Sequence, residues 1–252
     1  MMQEEKEVQL CKKRLIELAN TSFYKGYSVF TDFLTLKEQT IFNQIQSELP
    51  NINYKSWGGT DLAERKMICF SSDLLTVEQF PITVLKIQPQ NLKYAEQLTH
   101  RDFLGAILNL GVDRCKVGDI LLNEKIAYAF IEENMADFFV NSLEKVKHTK
   151  VRCEIIKEDF QFEQKFKEVV GTVNSIRLDA VLAIAFHSSR SQLLKLITSG
   201  KIYVNGCLVE HNSYHLKDGD LVSARGLGKF MYVTDLDKTK KGKTKILLRI
   251  YT

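Results

Sequence analysis

The feature that most constrains this chain is Asn205-Gly206, set between two β-prone runs, Ile202-Tyr203-Val204 and Cys207-Leu208-Val209. Both residues of a two-residue hairpin turn take positive φ, which Asn and Gly reach at least cost, so the pair predicts a tight hairpin. The residues before it predict two short helices. Leu178, Val181, Leu182 and Ala185 recur at the i, i+3, i+4, i+7 spacing of one buried helical face, with Ser175 as the expected N-cap. Arg177 and Asp179 fall off that stripe and are expected to face solvent or a partner. Ser189-Arg190-Ser191-Gln192 has the Ser-x-x-Gln form of a capping box, so a second helix is expected from about Arg190. Leu193, Leu194, Leu196 and Ile197 supply its apolar face, and Gly200 suits the left-handed position that ends it. Asp218-Gly219 marks a further turn, and Leu221-Val222, Phe230–Val233 and Ile246–Tyr251 read as later strands.

Basic residues stand at the corners of this helix-helix-hairpin. The free amides and dipole at the start of the second helix favour an anion, and Arg190 adds a planar fork of donors suited to phosphate. Lys195 and Lys201 follow, and Arg225 and Lys229 flank a glycine-rich turn. Each charge alone suits an ordinary solvated surface; their order and spacing together point to phosphate. Residues 175–252 hold 13 Lys+Arg against 6 Asp+Glu, a charge of +7, whereas the rest of the chain holds 22 against 25. Positive charge confined to one segment is the footprint of a nucleic-acid-binding domain on a less basic body. Lys238, Lys240, Lys241, Lys243 and Lys245 crowd one loop, either as a solvated hairpin tip or as further phosphate contacts. Piece by piece the segment resembles the S4 domain, a small RNA-binding module. The expected RNA contacts are Arg177, Ser189, Arg190, Ser191, Gln192, Lys195, Lys201, Arg225 and Lys229.

Composition narrows the class. A 44 % hydrophobic content supports packed cores, and no apolar run approaches the roughly 20 residues of a membrane span. The first residues, Met-Met-Gln-Glu-Glu-Lys-Glu, are polar and lack a signal-peptide core. Five scattered cysteines without Cys-x-x-Cys spacing support neither a disulfide framework nor a zinc site. The expectation is a reduced, cytoplasmic protein, monomeric when free, with no membrane partner, no metal and no small-molecule cofactor. Cys69 and Cys207 lie in apolar runs and are expected as small core residues.

The first two thirds predict two α/β units. Residues 4–19 read as a helix with Val8, Cys11, Leu15, Leu18 and Ala19 on one face, and a second helix is expected from about Leu36 to Leu49. Asn53–Ser56 and Lys66–Phe70 read as strands around Trp57-Gly58-Gly59. Beyond Pro81 the order is a strand at Ile82–Ile87, a helix at Leu98–Leu110, a hairpin from Asp119–Leu122 and Ile126–Ile131, a helix at Asn134–Leu143 and a strand at Lys150–Ile156. This β-α-β-β-α-β order is that of a ferredoxin-like, RRM-like sandwich. Tyr128 and Phe130 either stack bases or line a half-buried sheet; the aromatic signature of that RNA-binding fold is absent, which favours the sheet. The fold class is thus α+β: an N-terminal α/β domain over 1–76, a ferredoxin-like RNA-binding domain over 77–160, a connector over 161–174 and an S4-type αL RNA-binding domain over 175–252. Additional candidate RNA contacts are Gly58, Gly59, Arg65 and Lys66 beside the double glycine, and His100 and Arg101 at a helix start capped by Thr99. For both groups fold maintenance, as a tight turn or a helix cap, is the competing role.

Thr31-Asp32-Phe33-Leu34, Gly58-Gly59, Ala63-Glu64-Arg65, Phe80-Pro81-Ile82, Leu98–Ala106, Gly118-Asp119-Ile120 and the C-terminal module together resemble the YlmH family of bacterial proteins over roughly residues 10–252. Trp57 and Gln192 depart from the family pattern. The resemblance implies a three-domain, non-enzymatic protein that binds the large ribosomal subunit after a stalled ribosome has split. Its C-terminal module would hold ribosomal RNA and a peptidyl-tRNA.

Enzyme classes fare worse. Arg177-Leu178-Asp179 matches the core of a pseudouridine-synthase motif whose Asp is the nucleophile, but Ala-Val-Leu-Ala-Ile follows in place of the Thr and Gly that motif needs. No Gly-x-Gly-x-x-Gly occurs for a methyltransferase, and His100-Arg101-Asp102 lacks the other parts of a kinase site. His211 and His215 stand four apart, but in a turn region and not on a helix. A protein–protein adaptor is the remaining alternative, and it predicts partner binding that is insensitive to salt.

Overall fold

A computed structural model describes residues 2–61, 63–73, 79–156, 160, 162, 166–239 and 242–251. The chain divides into two units, Met1–Phe162 and Glu163–Thr252.

The first unit opens with α1 (Met2–Lys25), six residues longer at its C-terminal end than the apolar stripe predicts. Asn20, Thr21 and Ser22 hid the extension, because a buried Ser22 is not apolar. Its hydroxyl lies 2.8 Å from the Tyr27 carbonyl and 2.9 Å from that of Phe70, to which it donates. α2 (Leu36–Gln44) starts on a capping box in which Thr35 Oγ1 accepts from the Glu38 amide and Glu38 accepts from the Thr35 amide. The expected single helix to Leu49 instead breaks at Ile45 and continues as a 3₁₀ turn, Gln46–Glu48. β1 (Val29–Phe30), β2 (Asn53–Trp57) and β3 (Met67–Ser71) form an antiparallel sheet in the order β1-β3-β2. The two-residue β1 was too short for its pattern to be legible.

Strand β3 is buried along its whole length, and its period of two serves two cores. Ile68 and Phe70 pack with Leu15, Ala19, Phe42 and Ile45 of the helices. Met67 and Cys69 face the other way, onto Phe33, Phe80, Val84 and Phe130. Val84 and Phe130 belong to a second sheet, so the residues on either side of position 76 share one core.

That second sheet contains β4 (Ile82–Pro89), β5 (Val117–Asn123), β6 (Ile126–Glu132), β7 (Lys145–Val146) and β8 (Thr149–Ile156). The helices are α3 (His100–Leu108) and α4 (Ala136–Ser142). The order β5-β6-β4-β8-β7, antiparallel throughout, is the ferredoxin-like arrangement with β7 added beside β8. Phe103 and Ile107 of α3 and Phe139 of α4 cover one face through Leu85, Ile87, Ala129 and Ile131.

The second unit is a six-stranded antiparallel sheet with both helices on one face. Its elements are β9 (Phe166–Val173), α5 (Leu178–Phe186), α6 (Arg190–Thr198), β10 (Ile202–Val204), β11 (Cys207–Leu208), β12 (Leu221–Ala224), β13 (Gly228–Lys238) and β14 (Thr244–Tyr251). The sheet order is β11-β10-β12-β13-β14-β9. Leu178, Val181, Leu182 and Ala185 pack with Leu193 and Ile197 over Val222, Ala224, Phe230, Tyr232, Ile246 and Leu248. Asn205 and Gly206 turn at φ +49° and +75°, as their sequence requires.

Two expectations change here. Residues 161–174, read as a connector, contain β9, which pairs with β14 from Phe166↔Tyr251 to Val173↔Thr244. Exposed Lys167, Glu168 and Thr172 diluted an alternation in which Val169, Gly171 and Val173 face the helices. Ser175 is also not the cap of α5. Arg177 holds that position without a side-chain bond, and the Leu178 and Asp179 amides donate to the carbonyls of Tyr214 and Asn212. A distant loop does what a capping side chain was expected to do.

Candidate nucleic-acid interface

Helix α6 is where the chain presents donors. Ser189 caps it, its hydroxyl accepting from the Gln192 amide at 3.4 Å and lying 3.1 Å from Ser191 Oγ. Leu193 and Ile197 fix its orientation by complete burial. At 100° per residue, Lys195 then points opposite that buried stripe. Ser189, Arg190, Ser191, Gln192 and Lys195 are all exposed. Lys201 follows the helix, past the turn at Gly200. The Arg225 amide donates to the Lys201 carbonyl at 2.9 Å, so the β10 and β12 ends bring these two exposed cations side by side. Arg190 and Lys195, five residues apart, are exposed on the helix about 140° apart around its axis, and Lys201 and Arg225 are exposed at the sheet corner. Gly226 and Gly228, both at positive φ, turn the chain between Arg225 and Lys229. Lys229 is partly buried, with its ammonium 5.1 Å from the centre of the Tyr251 ring.

Arg177 is placed differently from the expectation of a solvent- or partner-facing pair. Its Nε and Nη2 each lie 3.2 Å from a carboxylate oxygen of Asp179, and Asp179 is buried at 7 % exposure. The pair locks the start of α5, which is a poor setting for an attacking nucleophile and weakens the pseudouridine-synthase reading on geometry.

The motif residues of the first unit converge on the seam between its two sheets. A Cβ on Gly58 would collide with the Arg65 carbonyl and Ala63, and one on Gly59, at φ +97°, would enter the Phe130 ring. A Cβ on Gly118 would stand 2.6 Å from Phe33 Cε1. Arg65 donates to the Val117 carbonyl at 3.1 Å and that of Phe33 at 2.8 Å. Asp119 accepts from the Glu64 amide at 2.6 Å and the Arg65 amide at 3.3 Å. Lys66 pairs through its backbone with Leu34. Nearby, Asp32 is bridged by Arg14 and by Lys116, which also reaches Glu132 at 2.7 Å. The Glu132 bond, with Asp32 behind it, pushes the Lys116 ammonium up against its burial. Burial pushes the Arg65 guanidinium down, and pushes that of Arg114 down to about 10. Gly58, Gly59 and Arg65 thus have structural tasks. Tyr128 and Phe130 do too: Phe130 is 1 % exposed, and Tyr128 packs against Phe160 with ring centroids 4.8 Å apart and planes tilted by 38°.

At the start of α3, Asp102 accepts from the Thr99 amide at 2.7 Å and from Lys147 at 2.8 Å. Arg101 is exposed and shares a shallow groove with Lys145 and Lys147, and His100 opens the helix. Among the described residues no three His, Cys, Asp or Glu side chains gather as a metal site, and no helix is long and apolar enough to cross a membrane. The five cysteines are free thiols, Cys69 fully buried and Cys207 only partly.

Two helices on an antiparallel sheet with a basic corner are compatible with an RNA-binding module, and comparison with known proteins gives that class. Residues 176–222 match the family model of the S4 domain. Residues 76–160 match a model described as "Putative RNA-binding domain in YlmH". A curated relative, the "Ribosome-associated protein quality control protein P2" of Bacillus subtilis (strain 168), is 32 % identical over 221 residues, covering 86 % of this chain and 84 % of its own. A solved structure titled "Cell division protein ylmH from Streptococcus pneumoniae" aligns at 21 % identity and TM-score 0.49, over 60 % of this chain and 91 % of that one. The chain belongs to the YlmH family.

Sequence reasoning missed Tyr203, Tyr251, Phe166 and Arg249, all of the second unit's sheet. Tyr203 carried a signal, since it alternates with the core residues Ile202 and Val204 and so must face away from the helices.

Proposed function

We propose that this protein is a non-catalytic, cytoplasmic RNA-binding factor of the large ribosomal subunit that holds ribosomal RNA and peptidyl-tRNA during rescue of stalled ribosomes. The observation that carries this reading is the set of exposed cations Arg190, Lys195 and Lys201 in an S4 domain, with the exposed Arg225 just beyond the matched segment. The relative named for ribosome-associated protein quality control supports the ribosomal setting. Phosphate is the ligand such a set recognises: a helix start with free amides, a guanidinium fork and three further cations within one unit. The groove holding Arg101, Lys145 and Lys147 is a candidate second contact for RNA.

The test is co-sedimentation of the purified protein with separated ribosomal subunits at low and high salt, wild type beside Arg190→Ala/Lys201→Ala. The expected result is salt-sensitive binding to the large subunit that the double variant loses. A wild type that sediments with neither subunit, with or without tRNA, overturns the ribosomal role. Binding that neither salt nor the double variant weakens points to an adaptor.

A further inference from the structure

The helix-free face of the second unit's sheet carries a row of aromatic rings, each met by a cation. Both helices pack on the opposite face. Alternation along the strands then sends Tyr203, Ser223, Lys229, Tyr251 and Phe166 outward as one row across neighbouring strands. The register shows it directly: Tyr203 pairs with Ser223, Ser223 with Lys229, and Tyr251 with Phe166. Arg225 lies over the Tyr203 ring at 4.6 Å, Lys229 over Tyr251 at 5.1 Å and Arg249 over Phe166 at 4.8 Å. Arg249 reaches this place from the next row, where it pairs with Glu168 and bonds its carboxylate at 3.1 Å. The face stays open to solvent at its margins, with Phe166 37 %, Leu208 48 % and Val170 61 % exposed.

We infer that this face is a second RNA site, distinct from the start of α6, and that it takes unpaired nucleotides by stacking their bases on these cation–aromatic pairs. Three observations select this ligand. A flat array of rings and guanidinium planes offers π-faces that any unstacked base can cover, whereas a duplex presents its stacked bases edge-on and cannot use them. The cations among the rings complement a phosphate backbone, and Glu168, the acid in these rows, is already held by Arg249. Arg225 neighbours Lys201 and lies over Tyr203, so a strand leaving the Lys201 corner has a continuous path onto the row. A protein partner would be served by the apolar margin but would have to bury the Arg225, Lys229 and Arg249 charges, which favours RNA. The inference rests on the RNA-binding reading of this unit and adds the class of RNA that the sheet accepts.

The test uses the full chain with a fluorescently labelled, unstructured uridine dodecamer and, separately, a closed RNA hairpin. Tyr203→Leu and Tyr251→Leu keep apolar bulk without a π-face, Tyr203→Phe and Tyr251→Phe keep the ring, and Arg190→Ala marks the start of α6. Leucine variants are expected to lose about 5- to 100-fold in affinity for the dodecamer, the span of one base–aromatic stack. Phenylalanine variants should stay within about twofold, because stacking is retained. Hairpin affinity should fall in Arg190→Ala and hold in the leucine variants. Dodecamer affinity that leucine leaves unchanged, or a leucine loss equal for dodecamer and hairpin, overturns the inference. In either case Arg190→Ala still reports on the ribosomal reading. Photocrosslinking of a 4-thiouridine dodecamer to the wild type decides the matter without variants. Adducts on the peptides bearing Tyr203, Tyr251 or Phe166 support the site, and adducts confined elsewhere overturn it.

Discussion

Arg190 shows why position decides what a charge can do. It is the first residue of α6, exposed, and beside amides that no helical carbonyl can reach. Arg177, of the same type and thirteen residues earlier, spends its fork on Asp179. Replacing Arg190 with Ala should weaken RNA binding about 5- to 100-fold and flatten the salt slope by about one unit, measured by titration across a salt series. Replacing Arg177 with Ala should act mainly on the stability of the second unit. Asp102 gives a residue-scale test in the first unit. The Lys147 ammonium, with the Thr99 amide and hydroxyl, holds its carboxyl down at about 2. A depressed acid contributes stability above its ordinary pKa of about 4 and loses it as pH falls through its folded value. Denaturant midpoints of wild type and Asp102→Asn should therefore differ above about pH 4 and converge towards pH 2. A gap that persists unchanged at pH 2 would assign it to something other than the charge.

At the scale of elements, the seam of the first unit is the most constrained place in the chain. Phe130 of β6 lies beneath Gly59, and Phe33 lies against Gly118 of β5. Gly59→Ala adds both a left-handed alanine and an overlap with a buried ring, and should cost about 3 kcal/mol, read from denaturant midpoints. Because the ring is the obstacle, Phe130→Leu should restore part of that loss in the double variant, a coupling that independent sites would not show. Much of the element order was legible beforehand. The ferredoxin-like strands, the Asn205-Gly206 hairpin and both C-terminal helices follow from periodicity and turn chemistry, which act within a few residues. What escaped depends on distant partners. β1 and β7 exist only because β3 and β8 pair with them. The cap of α5 is made by Asn212 and Tyr214. The tasks of Gly58, Gly59 and Arg65 are set by Val117, Asp119 and Phe130 from another sheet. The exposed cations of α6 were visible because helix starts are local. The aromatic row across β10, β13, β14 and β9 was not, because only the register assembles it.

For the whole molecule, charge and fold divide the labour in the same place. Residues 163–252 carry 15 Lys+Arg against 8 Asp+Glu, and residues 1–162 carry 20 against 23, so nearly all of the attraction for phosphate resides in the second unit. The matched S4 segment, 176–222, is only part of that unit. Its sheet continues through β13 and β14 and ends on β9, which precedes the helices in sequence. Gly171 of β9 lets Ile184 of α5 sit close against the backbone, and Val169 and Val173 join the core beside it. Removing it would leave the whole of β14 from Thr244 to Tyr251 as an unpaired edge and strip cover from Ile246 and Leu248. A fragment of residues 163–252 is therefore expected to unfold cooperatively and remain monomeric. One of residues 175–252 should lose about 3 kcal/mol from the uncovered valines and associate through its free edge. Denaturant melts and size-exclusion chromatography of the two fragments separate the outcomes. Equal stability of both would show that β9 is dispensable and that the RNA-binding fold begins at the helices. A selective loss in the shorter fragment would show that the functional unit starts before the helices, at a strand whose sequence looks like a linker.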